Sequence, residues 1–94
     1  MESKKAGHSS EFKSLLSKRL NRIEGQVRGV KKMIEEDTYC DEVLHQIMSI
    51  KASLDGVSKE LLKEHINSCV LNQVKAGKEE VIDELMVTIK KMLK

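Results

Sequence analysis

The sequence contains no proline and no tryptophan, and it has only one phenylalanine and one tyrosine. β-Sandwiches, β-barrels and aromatic-lined binding pockets are built from other compositions, so we do not expect any of them. No apolar run approaches the roughly 18 residues that span a bilayer, and the polar first residues lack the apolar stretch of a signal peptide. The sequence therefore predicts an all-α protein of the cytoplasm, without a membrane partner.

Recognisable catalytic arrangements are also missing from the sequence. There is no glycine-rich phosphate loop, no Ser/His/Asp set and no pair of carboxylates arranged for acid and base catalysis. We therefore do not expect an enzyme. A chain of 94 residues forms one domain with a small core, so association with another copy is expected. We assign residues 1–8 to a disordered N-terminal tail and residues 9–94 to a single helical domain.

The net charge of +2 hides an uneven distribution along the chain. Residues 1–34 contain nine Lys/Arg and three acidic residues, and residues 35–94 contain eight and twelve, so the two parts carry +6 and −4. An excess of one sign over several helical turns is typical of a nucleic-acid surface. Because few aromatic side chains are available for base stacking, double-stranded DNA is the better target. The residues expected to contact its phosphates are Arg19, Arg22, Arg28 and Lys51.

Apolar residues recur at spacings of three and four, which predicts helices that pack on other helices. Ser9 or Ser10 can cap the first helix, and Gly77 can end the second. Thr38 and Asp41 resemble a capping box at the start of the second helix. The apolar stripes are Leu16, Leu20, Ile23, Val27, Val30 and Ile34 on the first helix, Val43, Ile47, Ile50, Leu54, Val57 and Leu61 on the second, and Ile82, Leu85, Ile89 and Met92 on a short third helix.

Two glycines, Gly25 and Gly29, interrupt the first helix. A glycine inside a helix costs roughly 1 kcal/mol relative to alanine. Both positions are therefore interpreted as places where another backbone or a phosphate approaches closely, or as glycines that the helix merely tolerates.

Two cysteines and a histidine are the candidate metal ligands. On an α-helix, His65 and Cys69 project from the same face about one turn apart, as a two-donor metal clamp does. Cys40 lies in the first turn of the same predicted helix. About 25 helical residues separate Cys40 from His65 by on the order of 35 Å, so one chain cannot close this site. Either the cysteines are unrelated, or Cys40 of one chain meets His65 and Cys69 of an antiparallel partner.

The donor set indicates which metal would bind. Two thiolates and one imidazole suit Cu(I) better than Zn(II), whose structural sites are nearly always four-coordinate. His8 is the one candidate for a fourth ligand.

Residues 19–29 (RLNRIEGQVRG), the pair Tyr39-Cys40 and the spacing His65-x-x-x-Cys69 together resemble the copper-sensitive operon repressor family of bacterial transcription factors. The resemblance covers nearly the whole chain. It implies an all-helical homodimer built as an antiparallel four-helix bundle, and two such dimers that associate into a dihedral tetramer. It also implies a repressor that holds operator DNA without metal, releases it when Cu(I) binds between protomers, and thereby switches on copper efflux genes.

The resemblance also implies roles for individual residues. The metal ligands of the family correspond to Cys40, His65 and Cys69, and a tyrosine and a glutamate that support the ligands correspond to Tyr39 and Glu84. His8 lies where a nickel- and cobalt-sensing branch of the family has a further ligand. The alternatives to a Cu(I)-responsive repressor are therefore a Ni(II)- or Co(II)-sensing repressor that uses His8, a copper-buffering protein without a DNA function, and a thiol-redox sensor.

Overall fold

The computed structural model describes residues 7–94, and no strand occurs among them. The elements are α1 (Ser10–Glu35), α2 (Cys40–Glu64), a π-helical segment (His65–Val70), α3 (Leu71–Lys75) and α4 (Glu80–Met92). The predicted all-α fold is confirmed. The predicted disordered tail falls largely on residues 1–6, which lie outside the described residues. Among the helices of the described part, none is both long enough and apolar enough to cross a membrane.

The described chain divides into two compact units, Gly7–Glu60 and Leu61–Lys94. In the first unit, hydrogen bonds define both ends of α1. The Ser9 hydroxyl accepts a hydrogen bond from the backbone N–H of Phe12 at 3.2 Å, which confirms Ser9 as the helix cap. After the helix, Asp37 adopts a φ of 57°. This left-handed conformation lets the N–H of Thr38 reach the carbonyl of Met33 at 2.9 Å, which closes the last turn.

Helix α2 begins one residue later than the predicted capping box would place it. A Thr38 cap makes Tyr39 the first helical residue, but the helix starts at Cys40. The Tyr39 carbonyl accepts hydrogen bonds from the N–H groups of Glu42 at 3.0 Å and Val43 at 3.2 Å. The backbone N–H of Thr38, which a capping box would offer to the side chain of Asp41, instead donates to the carbonyl of Met33 at the end of α1. The prediction that Cys40 lies in the first turn of α2 is confirmed.

Only half of each predicted apolar stripe on α1 and α2 is covered within the chain. The covered positions recur every seven residues: they are Leu16, Ile23 and Val30 on α1 and Val43, Ile50 and Val57 on α2. The core of the first unit forms from Ile23, Ile50 and Val57, with Leu16 and Val30 packed against them. The remaining positions are 41% to 60% exposed and recur with the same spacing: they are Leu20, Val27, Ile34, Ile47, Leu54 and Leu61. We call this second set the outer stripe.

The backbone stays helical from α2 through the π-helical segment into α3. The residues at the two junctions, Glu64 and Leu71, have φ values of −65° and −60° and ψ values of −40° and −42°. The helix then stops at Gly77, whose φ is 83° and whose N–H bonds to the carbonyl of Val74 at 3.0 Å. Glycine adopts a positive φ without steric cost. The predicted stop at Gly77 is confirmed.

In the second unit, α4 packs against the π-helical segment and α3. Its buried face is centred differently from the prediction. Val81 is only 2% exposed, and Leu85 and Ile89 are half-buried, whereas Ile82 and Met92 are more than 40% exposed. Residues 81, 85 and 89 are spaced by four, so they fit a helical stripe as well as the predicted set does. Periodicity alone does not choose between the two faces of such a short helix.

Candidate functional site

Cys40, the first residue of α2, is exposed and forms no disulfide. Its side chain borders a hollow of about 440 Å³ between the end of α1 and the start of α2. The residues that line this hollow are Ile34, Asp37, Thr38, Cys40, Val43 and Leu44. Ile34 and Leu44 are themselves more than half exposed. The thiol is therefore presented at the surface of its unit, beside apolar side chains that a second chain can cover.

His65 and Cys69 are the first and fifth residues of the π-helical segment, and both are half-buried. The α-helix expected at these positions is wrong. Backbone hydrogen bonds in a π-helix span five residues instead of four, so each turn holds more residues than an α-turn. Two residues that are four apart still project to the same side of such a helix. The imidazole and the thiol therefore belong to one helix face in the observed geometry as well.

A side-chain hydrogen bond spans the start of the π-helical segment. The hydroxyl of Ser68 donates to Oε1 of Glu64 at 2.7 Å, and both residues are half-buried. The bond joins the last residue of α2 to the turn that carries His65. Because π-helical turns are rare and frequently occur at functional sites, this turn is a candidate functional site. Neither the π-helical segment nor the Glu64–Ser68 bond was predicted from the sequence.

One chain does not gather the three predicted ligands. Within residues 7–94, no group of three or more His, Cys, Asp and Glu side chains is arranged to hold a metal ion. Cys40 is the first residue of α2, and His65 directly follows its last residue, so the helix predicted between them is present. Tyr39 is 74% exposed, and Glu84 is exposed on α4. The assignment of these five residues to a shared metal site stays a prediction.

His8 lies at the start of α1, next to Phe12. The centroids of the two rings are 4.9 Å apart and their planes are inclined by 55°. The imidazole is half-buried in this position. Its role as an additional metal ligand stays a prediction.

The predicted DNA contacts lie on the surface of the first unit. All four of them, Arg19, Arg22, Arg28 and Lys51, are exposed. The structure brings Arg19 and Arg22 together, because both line a crevice between α1 and α2 that also includes Ser53 and Gly56. Arg28 and Lys51 do not line this crevice. Ser53 and Gly56 were not predicted as functional residues, although the isolated glycine in the second helix was a signal that could have identified them.

The two glycines of α1 face open space. A Cβ atom placed on Gly29 meets no atom of the described chain within 4 Å, and a Cβ on Gly25 meets only the guanidinium of Arg28 at 4.0 Å. Packing within the chain therefore does not require glycine at either position. The expected approach of another backbone or a phosphate stays a prediction.

Residues 13–91 match the family model of the metal-sensitive transcriptional repressors. The chain is 42% identical over 87 residues to the copper-sensing transcriptional repressor CsoR of Bacillus subtilis strain 168, a match that covers 92% of this chain and 86% of that protein.

Solved structures also resemble the chain. The copper-sensing repressor CsoR with Cu(I) from Geobacillus thermodenitrificans NG80-2 matches with a TM-score of 0.90 and 41% identity, over 100% of this chain and 99% of that one. The nickel-responsive transcriptional regulator InrS matches with a TM-score of 0.73 and 37% identity, over 92% and 98% of the two chains.

Proposed function

This chain belongs to the family of metal-sensitive transcriptional repressors, and we propose that the metal it senses is Cu(I). In this proposal the protein binds operator DNA when it holds no metal. It releases the DNA once Cu(I) occupies a site built from Cys40 of one chain and from His65 and Cys69 of a second chain. Release then allows expression of copper efflux genes. Likeness to two repressors described as copper-sensing, at 42% and 41% identity, supports this choice of metal.

The observation that carries the proposal is the placement of an imidazole and a thiol on one face of the π-helical segment. His65 and Cys69 supply two of the three donors, and the exposed thiol of Cys40 supplies the third. This donor set fits Cu(I), because thiolate sulfurs are soft ligands that favour it over harder cations. A bound Cu(I) ion would link two chains through these sulfur and nitrogen donors. Tyr39 and Glu84 would orient the ligands and relay their position, as outer partners of metal ligands do.

The outer stripe supports a second chain as the source of the missing donor. It leaves one apolar position per seven residues exposed on both α1 and α2, while the other position is covered within the chain. Two copies that pack these stripes together form a four-helix bundle, and an antiparallel arrangement brings the start of α2 of one chain to the end of α2 of the other. We propose this homodimer, and a tetramer of two dimers, as the functional assembly.

The experiment that tests the function is fluorescence anisotropy with the DNA upstream of the protein's own gene, with and without Cu(I). We expect tight binding without metal and release on adding one equivalent of Cu(I) per chain. Protein that binds this DNA equally with and without Cu(I) would contradict the proposal. Protein that binds Cu(I) but no DNA would instead support the copper-buffering alternative.

Arg19 and Arg22 provide a second test of the DNA contact. Replacing both with alanine will weaken binding to all DNA sequences, because phosphate contacts carry no sequence information. The plot of log K against log salt concentration should become shallower by about one unit for each phosphate that the protein no longer neutralises. Lys59→Ala is the control, because Lys59 is exposed on α2 and is not one of the predicted contacts. An unchanged slope in the double variant would show that the DNA-binding surface does not include Arg19 and Arg22.

A Ni(II)-responsive repressor is the second candidate. It is favoured by the likeness to a nickel-responsive regulator at 37% identity and by the position of His8 beside Phe12. X-ray absorption on the metal-loaded protein separates the two candidates. Three short ligands to copper that persist in His8→Ala agree with the Cu(I) proposal. Tight Ni(II) binding that disappears in His8→Ala, together with DNA release by Ni(II), would replace it with the nickel one.

A further inference from the structure

The crevice between α1 and α2 combines charge, a hydroxyl group and open space. It has a volume of about 320 Å³ and is lined by Arg19, Arg22, Ile23, Ser53 and Gly56. Ile23 is a core residue, only 6% exposed, so it marks the floor of the crevice. The two arginines belong to α1, whereas Ser53 and Gly56 belong to α2. The two arginine side chains therefore face the hydroxyl of Ser53 and the bare backbone of α2 at Gly56.

We propose that this crevice binds a single phosphate group, and that this group is a phosphate of the DNA backbone. The inference rests on the proposed DNA-binding function and adds two residues, Ser53 and Gly56, to it. Arg19 and Arg22 are three residues apart on a helix, so their side chains are neighbours. A guanidinium group offers two parallel N–H donors to a phosphate. The crevice exceeds the roughly 30 Å³ that one water molecule occupies by enough to accept a phosphate with its oxygens.

The proposal gives a reason for glycine at position 56. A glycine inside a helix destabilises it relative to alanine. Gly56 does not have the positive φ that favours glycine, which among the described glycines occurs only at Gly7 and Gly77. A Cβ atom at Gly56 meets no described atom within 4 Å, so the fold has room for alanine. A side chain at position 56 would occupy the open space beside Arg19 and Arg22.

Ser53 is placed to contribute a further hydrogen bond. Its hydroxyl donates to the carbonyl of Ser49 in the preceding turn at 3.1 Å. Hydroxyl groups rotate to suit their partners, and this type of bond to the preceding turn adds little to helix stability. The proton can therefore be redirected to a phosphate oxygen at small cost. The Ser49 carbonyl still accepts its helical hydrogen bond from the backbone N–H of Ser53.

The test compares two substitutions on α2 that introduce the same leucine side chain, one inside the crevice and one outside it. Gly56→Leu fills the crevice, and we expect it to weaken binding of operator DNA by about tenfold or more, which corresponds to the loss of one charge-assisted contact. Gly56→Ala should weaken binding by less while raising the denaturation midpoint, since alanine favours the helix. Ser58→Leu is the matched control, because Ser58 is exposed on α2 and does not line the crevice. It should change DNA affinity by less than about twofold, as surface substitutions away from a site do.

A second arm identifies the source of the phosphate. Inorganic phosphate is titrated into the 15N-labelled wild-type protein at constant ionic strength, and the arginine side-chain signals are followed by NMR. Shifts of Arg19 and Arg22 that are suppressed by DNA and absent in Gly56→Leu support a site that DNA phosphate occupies. If the wild-type protein shows these shifts but binds no DNA, DNA is not the source of the phosphate. The absence of DNA binding then contradicts the proposed function as a separate result.

The remaining outcomes also decide the question. Gly56→Leu that binds DNA as tightly as wild type would overturn the inference while leaving the proposed function intact. Sedimentation of the same variants shows whether assembly is affected. If Gly56→Leu dissociates while Ser58→Leu does not, the crevice is covered by a second chain, and the phosphate site is rejected.

Discussion

Cys40→Ala and Cys69→Ala will leave the protein bound to operator DNA after Cu(I) is added. Each substitution removes a soft anionic donor from a three-donor site, so copper affinity should fall by far more than the 10- to 100-fold typical of losing a partner that only supports a ligand. The measurement is competition for Cu(I) with a chelator of known affinity, alongside anisotropy of labelled DNA. Either variant releasing DNA at the wild-type copper concentration would remove that cysteine from the site.

His65→Ala is expected to behave differently from the cysteine variants. Two thiolates remain, and Cu(I) accepts two sulfur ligands, so the variant should retain much of its copper affinity. It should nevertheless fail to release DNA, because in the proposed mechanism the orientation of the imidazole is the signal that Tyr39 and Glu84 relay. His45→Ala is the control for the loss of a histidine, since His45 is exposed on α2 and its Nε2 lies 3.5 Å from Oδ2 of Asp41, away from the π-helical segment. Equal copper responses in both histidine variants would show that the imidazole has no part in the switch.

Leu54→Lys will dissociate the assembly. In the proposed bundle, Leu54 of the outer stripe becomes buried between chains, and an unpaired lysine in such a position costs about 3–5 kcal/mol. The dissociation constant of the dimer should therefore rise by about a hundredfold to a few thousandfold, since each 1.4 kcal/mol corresponds to a factor of ten. Because the proposed metal site takes ligands from two chains, the variant should also lose tight binding of Cu(I).

Leu15→Lys is the matched control for this experiment. Leu15 is 43% exposed and Leu54 is 44% exposed in the single chain, so exposure does not distinguish them. Leu15 lies outside the outer stripe, and its substitution should leave the sedimentation coefficient unchanged. A wild-type sedimentation coefficient for Leu54→Lys, or dissociation of both variants, would show that the outer stripe is not the contact between chains.

Local signals in the sequence were sufficient to predict some of the helix boundaries. Ser9 caps α1 because a hydroxyl can accept the N–H of Phe12, and Gly77 ends α3 because glycine readily adopts a positive φ. Both interactions involve residues only a few positions apart, so they can be read from neighbouring letters. Thr38 shows the limit of this approach. The residue has the chemistry of a cap, but its backbone is already bonded to the end of α1, and the helix starts one residue later.

The division of the apolar stripes could not be predicted from spacing. Ile50 and Leu54 occupy equivalent positions in the three-and-four pattern, yet Ile50 is 9% exposed and Leu54 is 44% exposed. Which member of the repeat is covered depends on how α1 and α2 pack, and that is a property of the folded hairpin. The pattern indicates that both positions are buried in the functional protein, either within one chain or against another. The structure shows which of them a single chain leaves for a partner to cover.

The candidate site was predictable in its residue types but not in its backbone. The spacing of His65 and Cys69 indicates two donors on one helix face. The π-helical turn that carries them has no marker in its sequence, because it contains neither proline nor glycine. It packs against α4 and carries the bond between Ser68 and Glu64, and neither contact is visible before the chain is folded. Gly56 is the opposite case. A glycine inside a predicted helix is easily noticed in the sequence, but the open space around it appears only in the structure.

The central claim is that each metal site takes Cys40 from one chain and His65 with Cys69 from another. Mixing Cys40→Ala chains with Cys69→Ala chains tests this claim directly. Each mixed dimer then has one site with no substitution and one site with both. With random mixing, half of the dimers are mixed, so the mixture should bind about one Cu(I) per four chains tightly, although neither variant does so alone. A mixture that binds no more copper than the separate variants would contradict a site shared between chains.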